Sequence, residues 1–187
     1  MNKTVKYILI TFATILSVFL IWYKIDSTPY GGNFTLNNEN GKWKFSQNPK
    51  KINLLYFGFT KCGAVCPTAL ATVSNAYGEL TDDERKNVRM IFVSVDHKHD
   101  KPQDVEKYAK SFHNDFIGVT ENKEQIDAAI KLFPAGYLIQ KNTNSVMGYS
   151  VSHSDKLFFL DKEEKKIAEI TEPRNTEKII AKIRKHL

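Results

Sequence analysis

The chain has 187 residues, of which 42% are hydrophobic and 26% are charged. This length accommodates one globular domain of ~100 to 200 residues with an appendage, and it excludes a second large domain. The net charge of +6 does not predict nucleic-acid binding, because the basic residues are scattered and interleaved with acids. We interpret them as a solvated surface that suits an acidic partner or an anionic membrane.

An uncharged, largely apolar run of seventeen residues, 7–23, lies near the start of the chain. It is close to the shortest helix that spans a bilayer. Lys3 and Lys6 put positive charge before it, and Trp22 and Tyr23 suit the aromatic belt at a membrane interface. The pattern predicts an N-terminal transmembrane helix, with the amino terminus in the cytoplasm and the domain outside a bacterial inner membrane.

The same run is also typical of a signal peptide, but neither a clear small-x-small cleavage site nor a cysteine for lipid attachment follows it. We therefore expect residues 1–26 to be an uncleaved anchor, and cleavage would leave the same exported domain. Residues 27–32 contain one proline and two glycines, which is typical of a linker. The domain is expected to cover residues 33–187.

Beyond the linker, an alternating segment is followed by apolar runs and helical patterns. Alternation around a turn-rich segment predicts an N-terminal β-hairpin, and continuous apolar runs predict strands buried on both faces. Strand and helix patterns then alternate, which indicates an α/β fold with a mixed central sheet flanked by helices. The predicted strands are 34–36, 43–45, 52–59, 88–95, 116–119, 157–160 and 166–170, and the predicted helices start at Pro67 and cover 102–112, 123–133 and 177–186.

The two cysteines, Cys62 and Cys66, lie where a predicted buried strand passes into a helix. In open α/β sheets, ligands bind at this carboxyl edge of the strands. Helix N-terminal N–H groups lower the pKa of a thiol, and Lys61 adds a positive charge beside the pair. Because the cysteines are four positions apart, their sulfurs can converge on one ion. Thiolates bind Cu(I) and also act as redox nucleophiles, so the pair predicts a copper site or a redox centre.

A structural disulfide between the two cysteines is the alternative, since an extracytoplasmic compartment permits one. Closing so short a loop removes little entropy from the unfolded chain, and a domain of this size is stable without it. We therefore interpret the pair as functional.

A soft ion bound by two thiolates needs a third ligand, and the chain has five histidines. His113 and His186 lie in or at the end of predicted helices and are typical of surface residues. His97 and His99 follow a buried strand at the same sheet edge as the cysteines, which suits either an auxiliary site or an exposed loop. His153 precedes a predicted strand, where a loop could bring its imidazole over the cysteines. Spacing alone leaves this choice open.

The segment from Tyr56 to Pro67, Tyr-Phe-Gly-Phe-Thr-Lys-Cys-x-x-x-Cys-Pro, closely resembles the signature of the Sco/SenC family, copper-binding assembly proteins for cytochrome c oxidase. The likeness continues in order along nearly the whole chain beyond the anchor. The other similar segments are Gly31-Gly32-x-Phe34-x-Leu36, Phe92-Val-Ser-Val-Asp96, Ile117-Gly-Val-Thr120, His153-Ser154 and Phe159-Leu-x-Asp161.

The resemblance implies a thioredoxin-like fold with a single N-terminal membrane anchor. It implies that Cys62, Cys66 and His153 bind copper, as Cu(I) or Cu(II), and this donor set suits both valences. It further implies delivery of copper, or of reducing equivalents, to the binuclear copper site of the oxidase's second subunit. We expect such a metallochaperone not to be an enzyme unless its cysteines also catalyse thiol-disulfide exchange.

Several residues depart from the family pattern around the expected site. The family usually has histidine where this chain has Lys61, and an acidic residue where it has Ser152. It usually has proline at the positions of Gly63 and His97. The missing acid at Ser152 is expected to weaken a contact that orients His153. His97 and His99 add a candidate transfer site. Met147 stands alone in the sequence, and we interpret it as a packing or loop residue.

The main alternative function is a thiol-disulfide oxidoreductase, in which one cysteine attacks and the other resolves the mixed disulfide. The CxxxC spacing argues against a usual redoxin, as does the segment before Leu157, which has no proline where redoxins place a cis-proline. A peroxidase of the peroxiredoxin type needs an arginine near the thiol, and none is close to Thr60 in the sequence. Ser154, His153 and Asp155 are adjacent and cannot converge as a hydrolase triad, and the sequence has no nucleophile elbow.

Overall fold

The computed structural model describes residues 2–26 and 30–187, without the side chains of residues 6, 8 and 21–26. Residues 27–29 of the predicted linker and the side chains of Trp22 and Tyr23 therefore lie outside the described residues. The first helix, α1 (Lys3–Asp26), covers the predicted anchor, and its described side chains are exposed. Within it, Lys3–Leu20 is long and apolar enough to cross a membrane, a criterion that signal sequences also meet.

Nine strands and six helices follow one another among the described residues. The strands are β1 (Thr35–Asn38), β2 (Gly41–Lys44), β3 (Ile52–Gly58), β4 (Val88–Ser94), β5 (Ile117–Val119), β6 (Tyr137–Lys141), β7 (Tyr149–His153), β8 (Lys156–Leu160) and β9 (Lys166–Thr171). The helices after α1 are α2 (Val65–Gly78), α3 (Asp82–Lys86), α4 (Pro102–Lys110), α5 (Lys123–Ile130) and α6 (Thr176–His186).

A five-stranded mixed sheet with the order β5-β4-β3-β8-β9 forms the centre of the domain. Strands β3, β4 and β5 are parallel, whereas β8 and β9 are antiparallel to their neighbours. Every residue of β3 and β4 is buried, as expected for central strands covered on both faces. Apolar residues of α2, α4 and α6 pack on one face of the sheet. The β1–β2 hairpin and α5 pack on the other.

The α/β architecture and the N-terminal hairpin agree with the sequence prediction. The β1–β2 hairpin turns at Glu39 and Asn40, just before Gly41, which has a positive φ. Trp43 on β2 is buried, as is Leu36 opposite it on β1. The predicted hairpin near the C-terminus is also present as β8 and β9. Most other predicted strands and helices are found with ends that differ by a few residues.

Three features were not predicted. Helix α2 begins at Val65 rather than at Pro67, so Cys66 lies in its first turn. Helix α3 has a capping box between Thr81 and Glu84 but buries no residue, so it has no apolar pattern. Strands β6 and β7 pair only with each other as a two-stranded hairpin. Most of their residues are partly exposed, and the hairpin therefore lacks the burial pattern that identifies a strand in sequence.

Strand β5 approaches α4 closely at Gly118. A Cβ at this position would lie 2.2 Å from the carbonyl oxygen of Val105, and the Gly118 N–H donates to the buried Glu106 carboxylate at 2.7 Å. Only glycine fits this contact, because the nearest atoms belong to backbone and cannot turn away.

We expect Gly118→Ala to push α4 away from β5 and to lower the free energy of unfolding by about 1–3 kcal/mol, as overpacking does. Gly78→Ala is the matched control, because Gly78 ends α2 with no atom within 4 Å of its added Cβ. Its free energy of unfolding should be unchanged or higher by up to ~1 kcal/mol. Urea unfolding of the detergent-solubilised chain measures both values, and equal stabilities would contradict the prediction.

Candidate metal centre

Cys62, Cys66 and His153 come together at one edge of the central sheet. One ligand atom from each, a cysteine Sγ or a ring nitrogen, lies within 4.8 Å of the other two. The tightest contact that the structure gives is 3.2 Å, between Cys66 Sγ and His153 Nε2. Neither cysteine is in a disulfide. Two sulfurs and one nitrogen thus converge on a volume that suits one metal ion.

The end of β3 and the start of α2 position the two cysteines. A turn from Phe59 to Cys62 is closed by the Cys62 N–H, which donates to the Phe59 carbonyl at 3.3 Å. The N-cap residue of α2, Ala64, has no side-chain acceptor for the free N–H groups of the first turn. The Cys62 sulfur accepts one of them, from Cys66 at 3.4 Å. The N-terminus of α2 therefore binds the Cys62 sulfur through a backbone hydrogen bond, and Cys66 itself lies in the first turn of the helix.

Gly58, the last residue of β3, makes room for Cys66. A Cβ on Gly58 would lie 2.6 Å from Cys66 Sγ and 2.9 Å from the ring of Phe92. Cys66 is fully buried, so its sulfur occupies a fixed position between the strand and the helix. The glycine in the Tyr-Phe-Gly-Phe segment is therefore required by the sulfur beside it.

His153 is the last residue of β7, where it pairs with Tyr137 of β6. It thus lies on a strand, whereas the sequence placed it in a loop. Its Nδ1 lies 3.2 Å from the Ser154 carbonyl oxygen, which fits a proton on Nδ1 and a free lone pair on Nε2. The rings of Tyr56 and Phe59 pack edge-on against the imidazole at 6.0 and 5.9 Å.

These contacts replace the orienting acid that the sequence lacks. Ser152 is exposed and pairs with Leu138 in the hairpin register. The imidazole is oriented instead by a backbone carbonyl on one side and by two aromatic rings on the others. A carbonyl is one of the usual partners of a metal-binding histidine.

Hydrogen bonds at the helix N-terminus give the two thiols different pKa values. The Cys66 side chain donates to the Cys62 sulfur and lowers the pKa of Cys62 to about 3, although burial opposes the change, and hydrogen bonds from backbone N–H groups add to the lowering. The same side-chain contact, together with burial, raises the pKa of Cys66 above its ordinary value. Lys61 is exposed, and its charge is less important than these hydrogen bonds. Cys62 is therefore the thiolate of the pair.

A network of polar side chains holds the chain next to His153, and the sequence did not predict it. Tyr56 donates to a carboxylate oxygen of Asp155 at 2.7 Å, and Arg174 binds the other oxygen. Asp155 lies two residues after His153, and this spacing was the available signal for its role. The ion pair with Arg174 fixes the chain where β7 passes into β8.

A second network holds the loop that carries the cysteines. The buried Asp100 accepts hydrogen bonds from the Thr60 N–H at 2.8 Å and from its hydroxyl at 2.6 Å. Ser94, at the end of β4, donates to the same carboxylate at 2.6 Å. The loop after β4 thereby anchors the residue two positions before Cys62.

The other histidines are not part of this group. His99 Nδ1 lies 2.8 Å from a carboxylate oxygen of Asp96, and the ring of His97 lies against Tyr137. His113 stacks on Phe116, and His186 ends α6. The described donor set at the cysteines thus contains one imidazole, from His153.

Replacing Gly58 tests the position of the Cys66 sulfur. We expect Gly58→Ala to displace Cys66 Sγ, to lower the free energy of unfolding by about 1–3 kcal/mol and to change the Cys66 environment. Gly63→Ala, between the two cysteines, should have neither effect, because no atom lies within 4 Å of its added Cβ. Urea unfolding and ¹³Cβ chemical shifts of the cysteines provide the two measurements. A Gly58→Ala protein that matches Gly63→Ala in both would be inconsistent with the close contact.

The pKa difference predicts a strong preference in alkylation. In the reduced metal-free chain, iodoacetamide should label Cys62 before Cys66, at a rate nearly constant between about pH 5 and pH 8, because Cys62 is already ionised there. An ordinary thiol would react about tenfold faster for each pH unit over this range. Cys66→Ala should raise the Cys62 pKa, because the Cys66 side chain is its main hydrogen-bond donor, whereas His186→Ala should not. Mass spectrometry measures the labelling, and preferential reaction of Cys66 would refute the assignment.

The comparisons with known proteins agree with this architecture. The SCO1/SenC family model matches residues 24–187. The SCO2-like protein of Rickettsia prowazekii is 33% identical over 138 residues, which cover 73% of this chain and 67% of that protein. The chain thus spans about two thirds of the length of the curated relatives that head the comparison.

Two solved structures are similar over most of the chain. The apo Sco1 protein of Thermus thermophilus is 30% identical, with a TM-score of 0.78, and the match covers 86% of this chain and 94% of that one. Arabidopsis thaliana ScoI, solved with copper bound, is 27% identical, with a TM-score of 0.76, over 84% of this chain and 97% of that one. These similarities confirm the thioredoxin-like fold, and the chain belongs to the SCO1/SenC family.

Proposed function

We propose that this chain binds one copper ion through Cys62, Cys66 and His153 and supplies it during assembly of cytochrome c oxidase. The observation that carries the proposal is the convergence of two sulfurs and one imidazole nitrogen within 4.8 Å. Thiolate sulfur selects Cu(I), and imidazole also suits Cu(II), so one donor set serves both valences. The low pKa of Cys62 presents a ready thiolate to the ion.

The three proposed ligands differ in how deeply they are buried, and this difference suits a metal ion that is bound and then released. Cys66 is fully buried, whereas Cys62 and His153 are half-buried. An ion held from the interior by Cys66 would therefore be reached from the side of Cys62 and His153. A partner's thiolate or imidazole could approach on that side and replace these two ligands in turn.

The comparisons support this cargo and this pathway. The ScoI structure from Arabidopsis has copper bound, and Sco proteins are described as a family of cytochrome c oxidase assembly proteins. By family resemblance, we propose the binuclear copper site of the oxidase's second subunit as the acceptor. Residues 1–26 would anchor the chain in the bacterial inner membrane, and residues 33–187 would form the copper-binding domain on its outer side.

A thiol-disulfide reductase is the second candidate, and the unequal acidity of the two thiols favours it. The Cys62 thiolate would attack a disulfide in a target protein, forming a mixed disulfide and releasing one target thiolate. Cys66 would then lose its proton to His153 Nε2, 3.2 Å away, and attack Cys62 Sγ. This step releases the second target thiol and leaves a Cys62–Cys66 disulfide, so two electrons pass to the target. An external dithiol would have to regenerate the chain.

Copper titration of the reduced, detergent-solubilised chain tests the first candidate. We expect wild type to show thiolate-to-Cu(II) absorption and to bind one Cu(I) at the cysteine site. Cys62→Ser, Cys66→Ser and His153→Ala should each weaken Cu(I) binding by more than the ~10–100-fold typical of a residue that only orients a ligand. His186→Ala is the matched control and should bind as wild type does. Wild-type binding no stronger than that of the double cysteine variant would refute the copper assignment.

A disulfide-reductase assay on the same proteins separates the two candidates. If the chain acts mainly by copper transfer, turnover of a protein disulfide should be slow in wild type and in every variant. Fast turnover that needs both cysteines and survives His153→Ala would favour the reductase, because the copper site needs His153 and a thiolate nucleophile does not. Fast turnover that also falls in His153→Ala would indicate the proton transfer described above.

A further inference from the structure

A cavity of about 330 Å³ lies between the loop after β4 and the tip of the β6–β7 hairpin, the hairpin that ends at His153. His99, from the loop, and Met147, from the hairpin tip, both line it. Neither side chain contributes to the group of Cys62, Cys66 and His153. These two residues belong to segments far apart in the chain, so no sequence pattern pairs them.

His99 is held as a metal-binding imidazole usually is. Its Nδ1 lies 2.8 Å from one carboxylate oxygen of Asp96, which is fully buried, and the Tyr149 hydroxyl donates to the other oxygen at 2.7 Å. The Tyr149 ring also stacks on the imidazole at 4.1 Å. A carboxylate on Nδ1 fixes the ring and leaves the Nε2 lone pair free, the arrangement that orients histidine ligands.

Met147 lies in the loop at the tip of the β6–β7 hairpin, which is one of the two placements expected from the sequence. Its side chain is 37% exposed, whereas Met90 is fully buried in the core. The turn around Met147 is defined by hydrogen bonds, because the Met147 N–H donates to the Ser145 hydroxyl at 3.2 Å and the Gly148 N–H to the Ser145 carbonyl at 2.8 Å. A thioether in a fixed turn faces the same cavity as a fixed imidazole.

We propose that His99 and Met147 form a second site that binds one Cu(I) ion. Thioether sulfur is a soft donor selective for Cu(I), and imidazole binds copper as well. Lys98 and Lys141 also line the cavity, and their charges oppose a divalent ion more than a monovalent one. The site is therefore selective for Cu(I) over Zn²⁺ and Cu(II).

The two copper sites are separate and are joined by one strand. Tyr149, which stacks on His99, begins β7, and His153 ends it. Four residues of extended strand span roughly 13 Å, so a single ion cannot bridge the two groups. With two neutral donors and no thiolate, the His99–Met147 site holds Cu(I) more weakly than the cysteine site. It is suited to receive an ion and release it.

The test uses the full chain in detergent with Cys62→Ser and Cys66→Ser, so that no thiolate remains. Ag(I), a redox-inert stand-in for Cu(I), is added while ¹³C-methyl signals of methionine are followed by NMR. We expect the Met147 methyl signal to shift and to saturate at one equivalent. The buried Met90 signal should stay in place and serves as an internal control. Zn²⁺ should not move the Met147 signal.

Two variants in this background assign the ligands. His99→Gln should abolish the Met147 shift, whereas His97→Gln, the matched control from the same loop, should keep it. Met147→Leu keeps a side chain of similar size and should abolish the Ag(I)-dependent shift of the His99 ring signals. This second variant keeps the proposal testable even if His99→Gln disturbs the loop. A Met147 shift that survives His99→Gln, or no shift at one equivalent, would overturn the proposal. Because the cysteines are absent, either outcome is independent of copper binding by Cys62, Cys66 and His153.

Discussion

The contact between Cys66 Sγ and His153 Nε2 joins two parts of the chain that are 87 positions apart. One partner is fixed locally, because Gly58 and the first turn of α2 leave the Cys66 sulfur one place to lie. The other depends on the register of β6 with β7 and on the rings of Tyr56 and Phe59. Most of the fold must therefore be formed before the three donors meet. The cysteines alone are a local motif, but the complete donor set is a property of the tertiary structure.

Buried carboxylates at the same sheet edge hold the loops that surround this contact. The Asp96 carboxylate is hydrogen-bonded to Tyr149 and His99. The Asp100 carboxylate accepts hydrogen bonds from Thr60 and Ser94. Burying a charged group is costly unless hydrogen bonds compensate it, and each of these acids has several. The short segment after β4 is therefore tied to the loop that carries the cysteines through Asp100 and Thr60. One of these acids positions the cysteine loop, and the other positions an imidazole on the neighbouring cavity.

The sequence predicted the parts of the fold that are governed by burial. Strands β3 and β4 were identified by continuous apolar runs, and α2 and α6 by helical spacing. The β6–β7 hairpin was missed because its strands are half exposed and pair only with each other. For the same reason His153 was assigned to a loop, and position in the chain left its role open until family resemblance implied it. Cys62 and Cys66 needed no such help, because a strand end and a helix start already define their chemistry. Met147 was expected in packing or in a loop and lies in a loop, but nothing local shows that this hairpin tip lines the same cavity as His99.

Copper binding and thiol-disulfide exchange require the same sulfur electrons, and this links the two candidate functions. A Cys62–Cys66 disulfide has no thiolate to donate, so oxidation of the pair removes two of three copper ligands. Conversely, a copper ion bound to both sulfurs occupies the lone pair with which Cys62 would attack a disulfide. The low pKa of Cys62 serves both reactions, because each begins from the thiolate. The acidity of Cys62 alone therefore does not separate the two functions. The raised pKa of Cys66 does, because a resolving thiol keeps its proton until it attacks, whereas a copper ligand must lose it.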